Sequence, residues 1–178
     1  MTLITDEARR WAERPFPDFS YSVDRTSVAR YAHAIGEDDP IHFNPEVAKA
    51  AGFDDVVAPP FFPYVIRMHA AHLVSRSELE PDGSFAGDVP PVETTRAMAG
   101  ETSVELGVPV VAGDEIVLHK RIADMYEKVG RSGPMVFVTM EFTFTNQRGE
   151  MDAKEQFTRI YRRESSQFTV HSPQPRYR

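Results

Sequence analysis

The stretch of residues 61–79 constrains this chain most. It holds Phe62, Val65, Ile66, Met68, Ala70, Ala71, Leu73 and Val74 so densely that, on a helix, apolar side chains surround most of the axis. A helix that is apolar on nearly every side cannot lie on a surface, so other structure has to wrap it. The C-terminal half of the chain supplies the wrapping. From residue 101 the apolar period changes from helical to strand-like. Residues 135–145 put Val136, Val138, Met140, Phe142 and Phe144 on one face, with the mostly polar Thr139, Glu141, Thr143 and Thr145 on the other. A short strand is expected over 101–107 and a long one over 115–126, after the turn Ala112-Gly113-Asp114. A returning strand over 150–163 comes after the turn Gln147-Arg148-Gly149. Long antiparallel strands with one apolar face, beside such a helix, predict an α+β fold in which an antiparallel sheet curls around a long central helix.

Upstream of that helix the signals are local. Residues 1–14, on the pattern from Glu7 to Arg14, read as a short amphipathic helix ended by Pro15 and Pro17. An extended piece over 19–23 precedes a second helix. Asp24 or Thr26 can cap it, Val28, Tyr31, Ala32 and Ile35 recur at helical spacing, and Gly36 closes it. After a loop, Asn44 caps a third helix with Pro45 at its first position, and Gly52 ends it. The stiff segment Ala58-Pro59-Pro60-Phe61-Phe62-Pro63 feeds the central helix. Residues 80–100, rich in Pro, Gly and Asp, read as a mobile loop. The organisation is therefore an N-terminal helical extension (1–15), one domain (16–163) and a flexible tail (164–178).

Bulk properties exclude several function classes. With 178 residues and a formal charge of −7, the chain lacks the basic field that nucleic-acid binding needs. Arg159, Arg162 and Arg163, with Arg176 and Arg178 beyond, read as a solvated strand end, ahead of the alternative that they bind the phosphates of a carrier. Without cysteine there are no disulfides, thiolate metal sites or cysteine nucleophiles. No run of about 18 apolar residues predicts a membrane span. The acidic N-terminus lacks an apolar signal core, so a cytoplasmic location is expected. His69 and His72 approach metal-ligand spacing, but no third ligand is placed, so they read as packing residues and no metal is expected. Arg131 reads as a hairpin residue, between Gly130 and Gly133, which supply turn flexibility.

The residues with chemical potential are Glu37, Asp38, Asp39 and His42. Taken alone, the acids are solvated loop residues and the histidine a structural one. Their context changes that. The segment Tyr31-Ala32-His33-Ala34-Ile35-Gly36-Glu37-Asp38-Asp39-Pro40-Ile41-His42-Phe43-Asn44 resembles the hydratase motif of R-specific enoyl-CoA hydratases and MaoC-like dehydratases. That motif is a helix ending in Gly, then Asp-x-Asn-Pro-x-His, then a small helix. Gly36, Pro40 and His42 match it; Glu37 stands at the Asp position and Asp39 at the Asn position. Gly52-Phe53 with Val57-Ala58-Pro59-Pro60-Phe61 resembles the helix entry in a dehydratase-like branch of that family. The run Tyr126-Glu127-Lys128-Val129-Gly130-Arg131-Ser132-Gly133-Pro134-Met135-Val136-Phe137 is similar to the same branch. The likeness covers residues 16–163.

The resemblance implies a hotdog fold and chemistry on acyl thioesters, either hydration of trans-2-enoyl or dehydration of (3R)-3-hydroxyacyl compounds. Glu37 and His42 would be the catalytic pair, holding one water between them as base and acid. Asp38 or Asp39 is the alternative carboxylate, although Asp39 reads first as holding the turn before Pro40. The N-terminus of the hotdog helix would stabilise the thioester oxyanion. Pro59 and Pro60 have no N–H, which leaves the amides of Phe61 or Phe62. Phe61, Phe62 and Tyr64 read as core, some of them lining an acyl pocket. No cofactor is implied beyond the coenzyme A or acyl carrier protein that bears the acyl group. The expected assembly is a homodimer or a heterodimer with another hotdog chain. Two alternatives stay open: a non-catalytic acyl-binding subunit of a heteromeric dehydratase, and an acyl thioesterase.

Overall fold

The computed structural model describes residues 2–72, 77, 79, 87, 89–94, 96–131 and 133–162. The continuation of the central helix beyond 72, most of the 80–95 loop, Arg163 and the tail 164–178 lie outside the described residues. Each upstream helix starts where a side chain accepts a hydrogen bond from an unpaired N–H. Thr5 caps α1 (Asp6–Glu13) through the Ala8 amide, Asp24 caps α2 (Arg25–Ile35) through the Ser27 amide, and Asn44 caps α3 (Pro45–Ala50) through the Glu46 amide. Strand β1 (Phe19–Ser22) lies between the first two helices. Helix α4 (Pro63–His72) is followed by β2 (Arg96–Leu106), β3 (Glu115–Gly130), β4 (Gly133–Thr145) and β5 (Met151–Arg162). The strands form one sheet in the order β1-β3-β4-β5-β2, with every pair antiparallel. No helix among the described residues is long and apolar enough to cross a membrane.

The sheet embraces α4 as the apolar alternation requires, and this is the hotdog arrangement. Phe62 and Ile66 are fully buried against Ile116, Leu118, Met140, Phe142, Phe144 and Ala153. Val136 and Val138 share a strand face with Met140, yet they pack under different cover. Leu3, Ile4 and Ala8 close that end of the sheet together with Tyr161. A bulge joins the two halves. Ile122 pairs with Met140 and Asp124 with Thr139, so Ala123 is the extra residue. Strict alternation from Ile122 would turn Asp124 inward; the bulge instead brings Met125 opposite Val138.

Several expectations need correction. Helix α4 begins at Pro63, not 61, because proline suits the first helical position. Its wrapping is incomplete in the single chain, since Phe61 and Tyr64 are 57% and 48% exposed. The strand expected over 101–107 starts at Arg96, where the supposed loop pairs with the far end of β5; a partner so distant in sequence leaves no local trace. Glu141, on the face of β4 read as mostly polar, is buried, with Arg121, Lys154 and Gln156 converging on its carboxylate. Arg159 and Arg162 are likewise half-buried, not free at a strand end.

Candidate active site

Glu37 and His42 come together. Gly36 takes a left-handed conformation (φ 79°), which only glycine adopts freely, and so turns the chain out of α2. The Glu37 amide donates back to Ala32 O at 2.9 Å, which fixes where its side chain starts. Asp39 accepts from the Ile41 amide at 3.0 Å and caps a single 3-10 turn, Pro40–His42. That is the turn-holding role read from the sequence. Asp38 and Asp39 are exposed, whereas His42 is buried.

His42 Nδ1 lies 2.6 Å from the Val57 carbonyl oxygen. A carbonyl only accepts, so Nδ1 carries a proton and Nε2 is the nitrogen left for chemistry. Nε2 lies 3.5 Å from Glu37 Oε2. This is beyond a good direct hydrogen bond but close enough for one water, about 2.8 Å from each, to bond both from the side. The ring is held from behind by backbone: the Val57 amide donates to Ile41 O at 3.1 Å, and the Ala58 amide to Val110 O at 2.8 Å. Val57 was not foreseen as a site residue; it acts only through its carbonyl, and a carbonyl has no sequence signature.

The residues named for the oxyanion and acyl pocket divide by role. Phe62 is core, and its amide is spent on Pro59 O at 2.9 Å. Among the described residues the Phe61 amide donates to no backbone carbonyl, so of the two it is the one available to a ligand. Phe61 and Tyr64 line a cavity of about 530 Å³ between α4, α2, β2 and β5, with Tyr31, Arg67, Thr102 and Phe157 among its other walls. Its described lining does not include Glu37 or His42. The two places are joined through the segment from Val57, which holds the imidazole, to Phe61, which opens the cavity. His69 stacks edge-on against Tyr21 at 5.2 Å, a packing contact. The side chain of His72 lies outside the described residues.

Arg67 and Glu155, inside the cavity, were missed. Arg67 Nε lies 3.2 Å from Glu155 Oε2, and its guanidinium sits 4.9–5.2 Å from the rings of Tyr64, Phe142 and Phe157. Burial pushes the Glu155 carboxyl up, and the Arg67 charge works against that. A signal did exist: Ala153, Phe157 and Tyr161 set the inward parity of β5, and Glu155 breaks it.

Comparison with known proteins defines the class to which this geometry belongs. Residues 11–154 match the model of the FAS1-like dehydratase domain region, and the chain belongs to that family. A UPF0336 protein of Clavibacter michiganensis is 35% identical over 129 residues, covering 72% of this chain and 77% of that protein. Among solved structures, the R-hydratase PhaJ1 from Pseudomonas aeruginosa superimposes with a TM-score of 0.60 at 15% identity, covering 94% and 96% of the two chains. The C-terminally truncated HadBC (3R-hydroxyacyl-ACP dehydratase) complex from Mycobacterium tuberculosis gives 0.57 at 21% identity, covering 82% and 92%. At these identities the two structures share the hotdog fold with this chain.

Proposed function

We propose that this chain is a hydro-lyase that adds water to trans-2-enoyl thioesters and, in reverse, dehydrates (3R)-3-hydroxyacyl thioesters. The observation that carries the reading is the approach of Glu37 Oε2 to His42 Nε2 while Nδ1 is committed to Val57. In hydration, the pair takes a proton from the water between them as its oxygen bonds to Cβ. The Cα–Cβ π electrons move onto the thioester oxygen, and the proton is then returned to Cα. The Phe61 N–H, beside the positive end of α4, suits the transient oxyanion. Loss of enoyl absorbance across a panel of coenzyme A esters tests the proposal, with the full chain alone and with any hotdog chain that co-purifies. Turnover that disappears in Glu37→Gln is expected. If every ester stays intact in both preparations, the reading is wrong.

A second reading has its own support. Strand β2 is exposed along nearly its whole length, with Met98, Val104 and Leu106 open, beside Phe61 and, on α4, Tyr64. An unpaired edge next to an unwrapped helix face suits a second hotdog chain, and the similar HadBC structure is itself a complex. In this reading the chain contributes the acyl cavity and its partner the chemistry. A Glu37→Ala complex as active as the parent complex would establish it over the first.

A further inference from the structure

The cavity beside α4 is not a plain hydrocarbon tunnel. Most of its wall is apolar: Tyr31, Phe61, Tyr64, Val104, Phe144 and Phe157. Yet Arg67 and Glu155 both line it, and their side chains are only 17% and 8% exposed. An ion pair placed there for stability alone would be fully hydrogen-bonded, because removing charges from water is costly unless their remaining donors and acceptors are satisfied. This pair is not. Arg67 Nε, although 3.2 Å from Glu155 Oε2, has no hydrogen bond of acceptable direction. Among the described residues, Glu155 has no other partner. The cavity is therefore lined by a guanidinium and a carboxyl side by side, neither fixed by a well-directed hydrogen bond among the described residues.

We infer that the cavity selects acyl chains carrying a hydroxyl beyond the reacting carbons, which donates to Glu155 and accepts from Arg67. The inference rests on the proposed acyl-thioester function. A hydroxyl is the smallest group that does both at once. A plain alkyl chain in the same place would strip water from the pair and return nothing. Position agrees with this. Arg67 lies four residues beyond Pro63, about 6 Å along the helix axis, so the recognised group sits deeper than a thioester whose oxygen meets the Phe61 amide.

The test uses acyl-pantetheine thioethers, which bind but cannot react, as two analogues of equal length with and without a mid-chain hydroxyl. Calorimetric titration of the full chain should show the hydroxylated analogue binding about 10- to 100-fold tighter, the range for hydrogen bonds to charged groups. Glu155→Gln, which keeps the shape, should shrink that ratio. The double variant Arg67→Met, Glu155→Leu replaces the pair by apolar side chains without stranding a charge, and should reverse the preference. Equal binding of the two analogues by the parent, or an unchanged ratio in the double variant, overturns the inference. If unsubstituted enoyl esters are still turned over, the hydro-lyase reading survives that result. Failure of both analogues to bind overturns the acyl site itself.

Discussion

His42 and Glu37 differ in what they owe to the fold, and their variants should separate accordingly. Glu37 is half exposed and its backbone is anchored independently of its side chain. Glu37→Gln should therefore cost turnover about 10²- to 10⁴-fold with a melting temperature close to the parent's. His42 is buried and satisfies the Val57 carbonyl, so His42→Ala should lose both activity and about 1–3 kcal/mol of stability. Two other carboxyls set opposite pH dependences. Burial acts to raise Glu141, but hydrogen bonds from Gln156, Arg121 and Lys154 outweigh it and hold the group at about 2. A depressed folded value means stability that is present above pH 4.5 and lost as pH falls toward 2, on the order of 3 kcal/mol. Acid melts of Glu141→Gln should lack that fall. Asp152 is the reverse case. Burial first, then the charge of Asp114, push it to about 7, and neither of its oxygens has a partner among the described residues. Its ionisation is a penalty that grows from about pH 4 to 7, so Asp152→Asn should gain about 2–4 kcal/mol at pH 8 and little at pH 4. Equal gains at both pH values would refute that assignment.

At the scale of elements, the N-terminal segment is part of the core and not an ornament. Leu3, Ile4 and Ala8 seal Val136, Val138 and Tyr161, while the Glu127 carboxylate accepts from the Ile4 amide and from the Thr2 hydroxyl at 2.6 Å. Ile4→Ala should cost about 2–5 kcal/mol, measured by denaturant unfolding, although residue 4 lies far from Glu37 in function. How legible the elements were depended on how local their causes are. Caps and turns at Asp24, Gly36, Asn44 and Gly149 were readable because each acts within a few residues. The alternation of β4 was equally plain. The start of β2 at Arg96 and the bulge at Ala123 were not, because both are set by a partner strand's register.

For the whole molecule, the open edge of β2 and the unwrapped side of α4 form the surface on which the proposed second hotdog chain would dock. Sedimentation of the full chain should show at least a dimer. Replacing Met98 and Leu106, 38% and 49% exposed in the single chain, by lysine should shift it toward the monomer. A parent chain that sediments as a monomer at all concentrations would remove this surface from the account.

By itself, the order of residues determined the class of fold and the neighbourhood of the candidate site, because period, caps and the Gly36–His42 spacing act over short separations. Only the tertiary structure decided that Val57 aims the imidazole, that Phe61 keeps a spare amide while Phe62 does not, and that Arg67 faces Glu155. The Phe61 and Phe62 amides differ through the local turn in which the Pro59 carbonyl accepts from Phe62. His42 with Val57 and Arg67 with Glu155 join residues far apart along the chain, and which groups meet across such separations is set by packing, not by anything either residue carries alone.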